Sequence, residues 1–530
     1  MFRLRQHTPE SLVIARQVLD EVRQGHKVLE AIRRHPLAEG GCLSKSMLVS
    51  AYNQMVESGE LPSDPALLAR IRMKPVRTLS GVTTVTVLTK PYPCPGKCIF
   101  CPTDVRMPKS YLPDEPGAAR ALQHQFDPYD QVVSRLEALE AVGHPVDKIE
   151  LLILGGTWSS YRRDYQEWFV QRCFEALNGV PSASLAEAHQ RNETAAHRDV
   201  GLVIETRPDH VDTEEIAWLR TLGVTKVQMG AQSLDDRILE LNQRGHTVED
   251  TRRATAMLRA AGFKIALHWM PNLLGATLES DREDFARLWD DLCPDEIKIY
   301  PTQLLANADL YAYWQRGEYH PYTTGDLVGL LADIKPTIPR YCRVNRVIRD
   351  IPSTHVVEGN RRTSLRQDAQ LEMQRRGTHC QCIRCREVRS EQVQPGHLRL
   401  EEQVYPAGGG EEHFISYVTP SDRLAAFLRL SLPGPASPHL GLPDLEEAAI
   451  IREVHVYGQS LQVGAEQSGA AQHIGLGTRL ISHAAKLARS RGYLRLAVIS
   501  AVGTRRYYLE RGFERGELYL VKPLAPNMSS

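Results

Sequence analysis

The 530-residue sequence predicts an α/β protein. A helical N-terminal segment should lead into an open barrel of six β/α units, followed by a smaller α+β domain. Three observations predict this. From residue 80 onward, short apolar runs alternate with helical stretches, as expected of parallel strands covered on both faces. Before residue 75, apolar residues recur at helical spacing. Past residue 395 the chain becomes strand-rich around one amphipathic helix opened by glycines. Hydrophobic residues are 42% and charged residues 24% of the chain, which suits a globular enzyme with a full core. The formal net charge is zero, so no global charge draws the chain to nucleic acid or membrane. No apolar run nears the ~20 residues that cross a bilayer, and the N-terminus lacks the apolar stretch of a signal peptide. A cytoplasmic protein is expected.

Leu12, Ala15, Leu19 and Val22, then Val28, Leu29 and Ile32, then Met47, Leu48, Ala51 and Met55 define the helical segment, 1–75. It is mildly basic. The barrel, 76–340, is read from VTTVTVL (82–88), KIELLIL (148–154), VGLVIET (200–206), VTKVQMG (224–230), KIALHWM (264–270) and EIKIYPT (296–302). In parallel α/β folds the chemistry collects at the carboxyl ends of the strands. Those ends read KPYPCPGKC, GGTWSS, ETRPDH, GAQS, MPNLLG and PTQLL. The polar stretch 182–199 reads as an exposed insertion. Residues 335–390 carry thirteen Lys/Arg against five Asp/Glu, a candidate anion-binding surface or a solvated basic face. Segment 341–390 is set apart as a basic linker, and 391–530 as the last domain.

The ten cysteines should be reduced in a cytoplasm, so clustered ones point to metal ligation. PYPCPGKCIFCP holds Cys94, Cys98 and Cys101 in a C-x3-C-x2-C pattern on a Pro/Gly loop after the first strand. Four thiolates would close a zinc site. Three leave one iron of a four-iron cube free to bind a substrate or cofactor. A zinc knuckle with a remote fourth ligand is the alternative. The spacing resembles that of the radical S-adenosylmethionine (SAM) enzymes, in which the free iron binds SAM. Gly155, Gly156 and Thr157 resemble that superfamily's glycine motif beside the SAM amino group.

A second stretch, QHIGLGTRLISHAAKLARSRGY (472–493), carries Q-x-x-G-x-G at Gln472, Gly475 and Gly477. A glycine turn opening a helix is an anion site, because free amides and the helix dipole face the ligand. IIREVHVYG precedes it, and YLRLAVIS and GTRRYYLERGF follow. The ordered set resembles the acetyl-CoA site of Gcn5-related N-acetyltransferases. That resemblance implies loop amides on the pyrophosphate, and Tyr507 or Tyr508 near the thioester as contact or proton donor; core packing is the other reading of both tyrosines.

Together the two modules resemble the catalytic subunit of Elongator, nearly collinearly over residues 75–524. The motifs include GHPVDKIELLILGGTW, ETRPD, NQRGHT, KIYPT, NRVIRDIP, EGNRR, REVHVYG and GTRRYY. The resemblance implies modification of tRNA wobble uridine at C5 to 5-carboxymethyluridine, with acetyl-CoA as carbon donor and a SAM-derived radical as hydrogen abstractor. By position it implies Lys148, Glu453, Val454, His455, Val456, Leu476, Gly477, Thr478 and Tyr508 as acetyl-CoA contacts. The HWMPN run departs from the family's pattern at Trp269 and Asn272. Cys380, Cys382 and Cys385 (C-x-C-x2-C) read as a structural zinc site, with His379 a candidate fourth ligand and free thiols the alternative. Arg343, Arg346, Arg349, Arg361, Arg362 and Arg366 are candidate contacts to an anticodon stem-loop, or else interdomain ion pairs; the N-terminal helices are a further candidate tRNA contact. The electron donor and a homodimer stay open. The alternative function is protein lysine acetylation with the barrel as scaffold.

Overall fold

The computed structural model describes residues 7–38, 40–74, 78, 80–389, 391, 393–457 and 475–524. Four helices open the chain: α1 (Pro9–Arg23), α2 (Val28–Arg34), α3 (Lys45–Glu57) and α4 (Pro65–Ile71). Thr8, Ser44 and Asp64 cap α1, α3 and α4 through their side chains, satisfying amides that the helix cannot. Ala15, Leu19, Val22, Leu48, Ala51 and Met55 form a core of their own, separate from that of the barrel.

The barrel is one parallel sheet of seven strands in sequence order: β1 (Thr83–Leu88), β2 (Lys148–Leu154), β3 (Arg198–Thr206), β4 (Val224–Gln232), β5 (Lys264–Trp269), β6 (Glu296–Ile299) and β7 (Arg343–Val347). The first six match the apolar runs. The seventh lies in the basic stretch, where RVNRV has only two apolar residues, Val344 and Val347, and so lacks a continuous apolar signature. β1 and β7 do not pair, which leaves the barrel open along one side.

The C-terminal sheet comprises β8 (Arg399–Ala407), β9 (Gly410–Val418), β10 (Leu424–Leu432), β11 (Ala448–Val456), β12 (Arg495–Val498), β13 (Glu514–Arg515) and β14 (Leu520–Pro523). The order is β13-β14-β12-β11-β10-β9-β8, with β11 and β12 parallel. Of β11, only Ala448–Ile451 pairs with β12, so the two strands part along the second half of β11.

This domain closes the amino end of the barrel. Asp295, just before β6, is fully buried between Arg452 and Arg429; Arg452 also binds Glu412 and the Phe263 carbonyl. Removing such charges from water is costly, and only mutual pairing offsets it. One hydrophobic core runs from Val85 and Ile204 through Phe263 and Ile297 to Leu428 and Ile451.

The stretch 182–199 is not an exposed insertion. It forms a helix, Leu185–Asn192, continued into β3, with Leu185, Ala188, His189 and Asn192 buried. Leu185, Ala188 and His189 sit at i, i+3 and i+4, so a mostly polar sequence still has one buried face. Among the described residues, no helix is long and apolar enough to cross a membrane.

Candidate active site

The cysteine loop follows the carboxyl end of β1. Arg244 Nη1 donates to Cys98 Sγ at 3.3 Å, and Arg207 lies against Gly96. The Cys101 hydrogen bond, with Arg244 and Arg207 alongside, pulls the Cys98 thiol well below its usual pKa, while the same bond and burial raise Cys101. Cys94 Sγ lies 3.8 Å from Thr157 Oγ1. That threonine ends the Gly155-Gly156 turn, where Gly155 has φ +148° and an added Cβ would collide with the Thr89 hydroxyl, so only glycine fits. The turn thus brings backbone beside the thiols. Arg207 Nη1 is buried with no partner, a donor left for a ligand.

The two cysteine groups differ in spacing. The Cys380, Cys382 and Cys385 sulfurs lie within 4.8 Å of one another, close enough to share one ion at the usual ~2.3 Å Zn–S distance. The Cys94, Cys98 and Cys101 sulfurs do not all lie within that distance of one another, although Cys98 and Cys101 are hydrogen-bonded. Three thiols on one loop, with the Arg207 and Arg244 guanidiniums beside them and no fourth thiol in the loop, fit an iron–sulfur group with one iron left open. His379 is exposed and stands outside the second group, so it is not drawn in as the fourth ligand.

A cavity of about 1000 Å³ runs from this loop through the barrel to the C-terminal domain. Its upper part is lined by Glu205, Gln228, His268, Lys298 and Tyr300. His268 contacts Gln228 at 3.2 Å and Glu205 at 3.5 Å, and burial and Lys298 push its pKa well down. Lower down, Lys226 binds Glu150 (2.7 Å) and Glu296 (3.1 Å), and Lys264 binds Glu296 (3.6 Å) and Glu453 (2.6 Å). Charges alternate in sign, so each buried ion has a partner. Burial would raise the Glu453 pKa, but Lys264 and Arg429 outweigh it and keep the carboxylate charged.

Glu453, Val454, His455, Tyr457 and Tyr508 form the cavity floor. Burial lowers His455 to about 4, so its ring is neutral at pH 7, and its Nε2 is buried without a partner. The paired tyrosines separate. Tyr508 is buried and faces the cavity; Tyr507 sets its hydroxyl against Gly477 beneath Arg511, 3.6 Å over its ring. Gly475, with φ +65°, opens the helix Leu476–Ser490, and Thr478 Oγ1 accepts from Arg511. Lys148, Val456, Leu476, Gly477 and Thr478 do not line the cavity. Gln472 lies outside the described residues.

The arginines chosen as RNA contacts are mostly engaged. Arg343 binds Glu387 and Tyr457, Arg349 binds Ser110 and Glu115, and Arg361 donates to the Val356 and Val357 carbonyls. Arg362 pairs with Asp368, and Arg366 donates to the Val344 carbonyl. Arg343 and Arg349 line the cavity too, with part of each guanidinium taken up by Glu387 and Glu115. Arg346, exposed and paired with Asp350, lines the open side of the cavity with Arg366, Arg384 and Arg389. Trp269 is a core residue bonded to Asp284, and Asn272 (φ +62°) accepts from Tyr322 N and Tyr319. Both are structural.

Sequence reasoning passed over Arg207, Arg244, Glu205, His268 and Lys298. For all but Arg244 the signal was a charged or polar side chain within an apolar strand run or just past its end; Arg244 follows a short helix twelve residues past β4 and carried no such signal.

Fold and site define a radical SAM barrel joined to an acetyltransferase-like domain. Residues 92–288 match the Radical SAM superfamily and 294–375 the Radical_SAM C-terminal domain. The tRNA uridine(34) acetyltransferase of Dehalococcoides mccartyi is 44% identical over 84% of this chain and 99% of its own; that of Methanocaldococcus jannaschii is 38% identical over 96% and 97%. The solved structure of archaeal Methanocaldococcus infernus Elp3, lacking residues 1–46, superposes with a TM-score of 0.74 at 36% identity, covering 84% of this chain and 99% of that one. The chain belongs to the family of the tRNA uridine(34) acetyltransferases and Elongator complex protein 3.

Proposed function

We propose that the protein modifies wobble uridine-34 of tRNA at C5, using SAM and acetyl-CoA to leave 5-carboxymethyluridine. The observation that carries this reading is the single cavity shared by the Cys94–Cys101 loop and the Glu453–Tyr508 floor. The names of the close relatives support it. When bound, a [4Fe–4S] group on Cys94, Cys98 and Cys101 with SAM supplies a carbon radical able to take hydrogen from a methyl group that no side-chain base would deprotonate usefully. Around it, Gly155 and Gly156 offer backbone at close range, and Arg207 and Arg244 balance the charge of the thiolates.

At the other end the acetyl thioester meets the floor. The parted edge of β11 suits a pantetheine arm, and the helix start at Leu476–Thr478 suits a pyrophosphate. Neutral His455 can accept a proton at Nε2 from the water that hydrolyses the thioester, and Tyr508 can donate to the leaving thiolate. Lys148, partly buried at the start of β2 and outside the cavity lining, is kept as an acetyl-CoA contact only on the family resemblance. The RNA base enters through the open side between β1 and β7, where Arg346, Arg366, Arg384 and Arg389 meet its phosphates. Entry from the amino end is closed by the C-terminal domain, which also argues against a protein lysine as acceptor.

Anaerobic incubation with tRNA, SAM, acetyl-CoA and a reductant tests the reading. 5-Carboxymethyluridine at position 34 with release of CoA is expected; acetyl-lysine formation indifferent to the cysteine loop would overturn it. Arg366→Ala should weaken tRNA binding severalfold and lower the salt-dependence slope by about 1, read by titration at several salt concentrations. Zinc on Cys380, Cys382 and Cys385 is proposed as structural. Metal analysis of Cys382→Ser should show its zinc lost and thermal unfolding shifted down, with iron retained.

A further inference from the structure

The helix Arg505–Leu509, which carries Tyr508, has five residues, too few to hold together alone. Its supports come largely from the barrel. The turn before it presses Gly503 onto β3 so closely that an added Cβ would lie 2.6 Å from the Asp199 carbonyl oxygen and 2.7 Å from Arg198 Cβ. Glu193, between the helix Leu185–Asn192 and β3, reaches across. It accepts from Arg515 at 2.9 and 2.6 Å, one bond to each carboxylate oxygen, and lies 3.5 Å from Arg505, the first residue of the tyrosine helix. Glu193 is itself anchored: Asn192 accepts from Asp199 N and donates to Asn178 and to the His197 carbonyl, while His189 packs edge-on against Phe174 at 4.6 Å.

We infer that Glu193 is a positioning residue for the acetyl-CoA half of the reaction, in which the barrel segment 182–199 clamps the helix that presents Tyr508 to the cavity. The inference rests on the reading of Tyr508 given above. The Glu193 carboxylate, nine-tenths buried, holds Arg505 at the start of the short helix and Arg515 in β13, the strand that follows it, so Tyr508 lies on the stretch tied down between them. Releasing that carboxylate loosens the helix start and the strand beyond it together, and small misplacements of a reacting group are costly.

Glu193→Gln and Glu193→Asp in the full-length, cluster-loaded enzyme test it, with tRNA-dependent acetyl-CoA hydrolysis, SAM cleavage and amide hydrogen exchange over 503–511 measured in parallel. Glu193→Gln should lower kcat for acetyl-CoA about tenfold, leave its KM and the rate of SAM cleavage within about twofold, and lose exchange protection in 503–511. Glu193→Asp should restore most of both losses. Unchanged protection in Glu193→Gln overturns the clamp, whatever the activity. So does an equal fall in SAM cleavage, or a Glu193→Asp variant no better than Glu193→Gln. Tyr508→Phe serves as the reference. If it keeps full acetyl-CoA turnover while Glu193→Gln loses protection, the clamp stands and the role of Tyr508 falls.

Discussion

Cys98→Ala is expected to lose SAM cleavage and uridine modification by more than the roughly 10–100-fold typical of changes to groups that only orient a metal ligand. Its sulfur is the one that Arg244 grips and that Cys101 bonds. Removing it takes away one of three holdfasts and leaves a buried guanidinium facing no thiolate. Arg244→Ala, which keeps all three thiols, should fall within the 10–100-fold range. Iron and sulfide analysis alongside 5′-deoxyadenosine release separates the two: the first variant loses iron, while the second keeps most of it and reacts slowly. Acetyl-CoA affinity should be unchanged in both, because the floor of the cavity is built from other strands. Equal SAM cleavage by Cys98→Ala and wild type would remove the basis for any radical step.

The second large effect lies at the join between the domains. Asp295→Ala leaves Arg452 and Arg429 buried without their common anion, and breaking such a pair typically costs about 3–5 kcal/mol. Thermal or denaturant unfolding would read this as a lower midpoint, with both domains affected. The same carboxylate gives a pH signature. Burial alone would raise its pKa, yet Arg452, Arg429 and Arg259 hold it down to about 2, below the ordinary 3.8. A depressed acid stabilises the folded state above its unfolded pKa, and that contribution fades as pH falls through the folded one. Stability should therefore drop between about pH 4 and pH 2, and Asp295→Asn should flatten that part of the profile.

Much of this was legible in the chain. Near-continuous apolar runs gave six strands because parallel strands are buried on both faces, and the loops at their carboxyl ends gave the first cysteine trio and the Gly155 turn. What escaped reading depended on partners distant in sequence. β7 places its buried Val344 and Val347 three apart across a register shift at Asn345, so it shows neither a continuous apolar run nor a clean alternation. Segment 182–199 looks solvated, yet its few apolar residues share one helical face and its acid meets arginines more than 300 residues away. That Arg343 and Arg349 are paired with Glu387 and Glu115 could not be read from the chain, because those acids lie 44 and 234 residues away. Tyr507 and Tyr508 are adjacent, and only the helix direction shows which one faces the cavity.

One strand serves two masters. Along β11, Arg452 is spent on the barrel's buried carboxylate, while its neighbours Glu453 and His455 look into the chamber. The halves of this protein are therefore not interchangeable cassettes. Grafting an acetyltransferase unit from a stand-alone enzyme onto this barrel would strand Asp295, and severing the native unit would bare Arg429 and Arg452 to water. Recombination between lineages should thus have kept the two halves travelling as one inherited block.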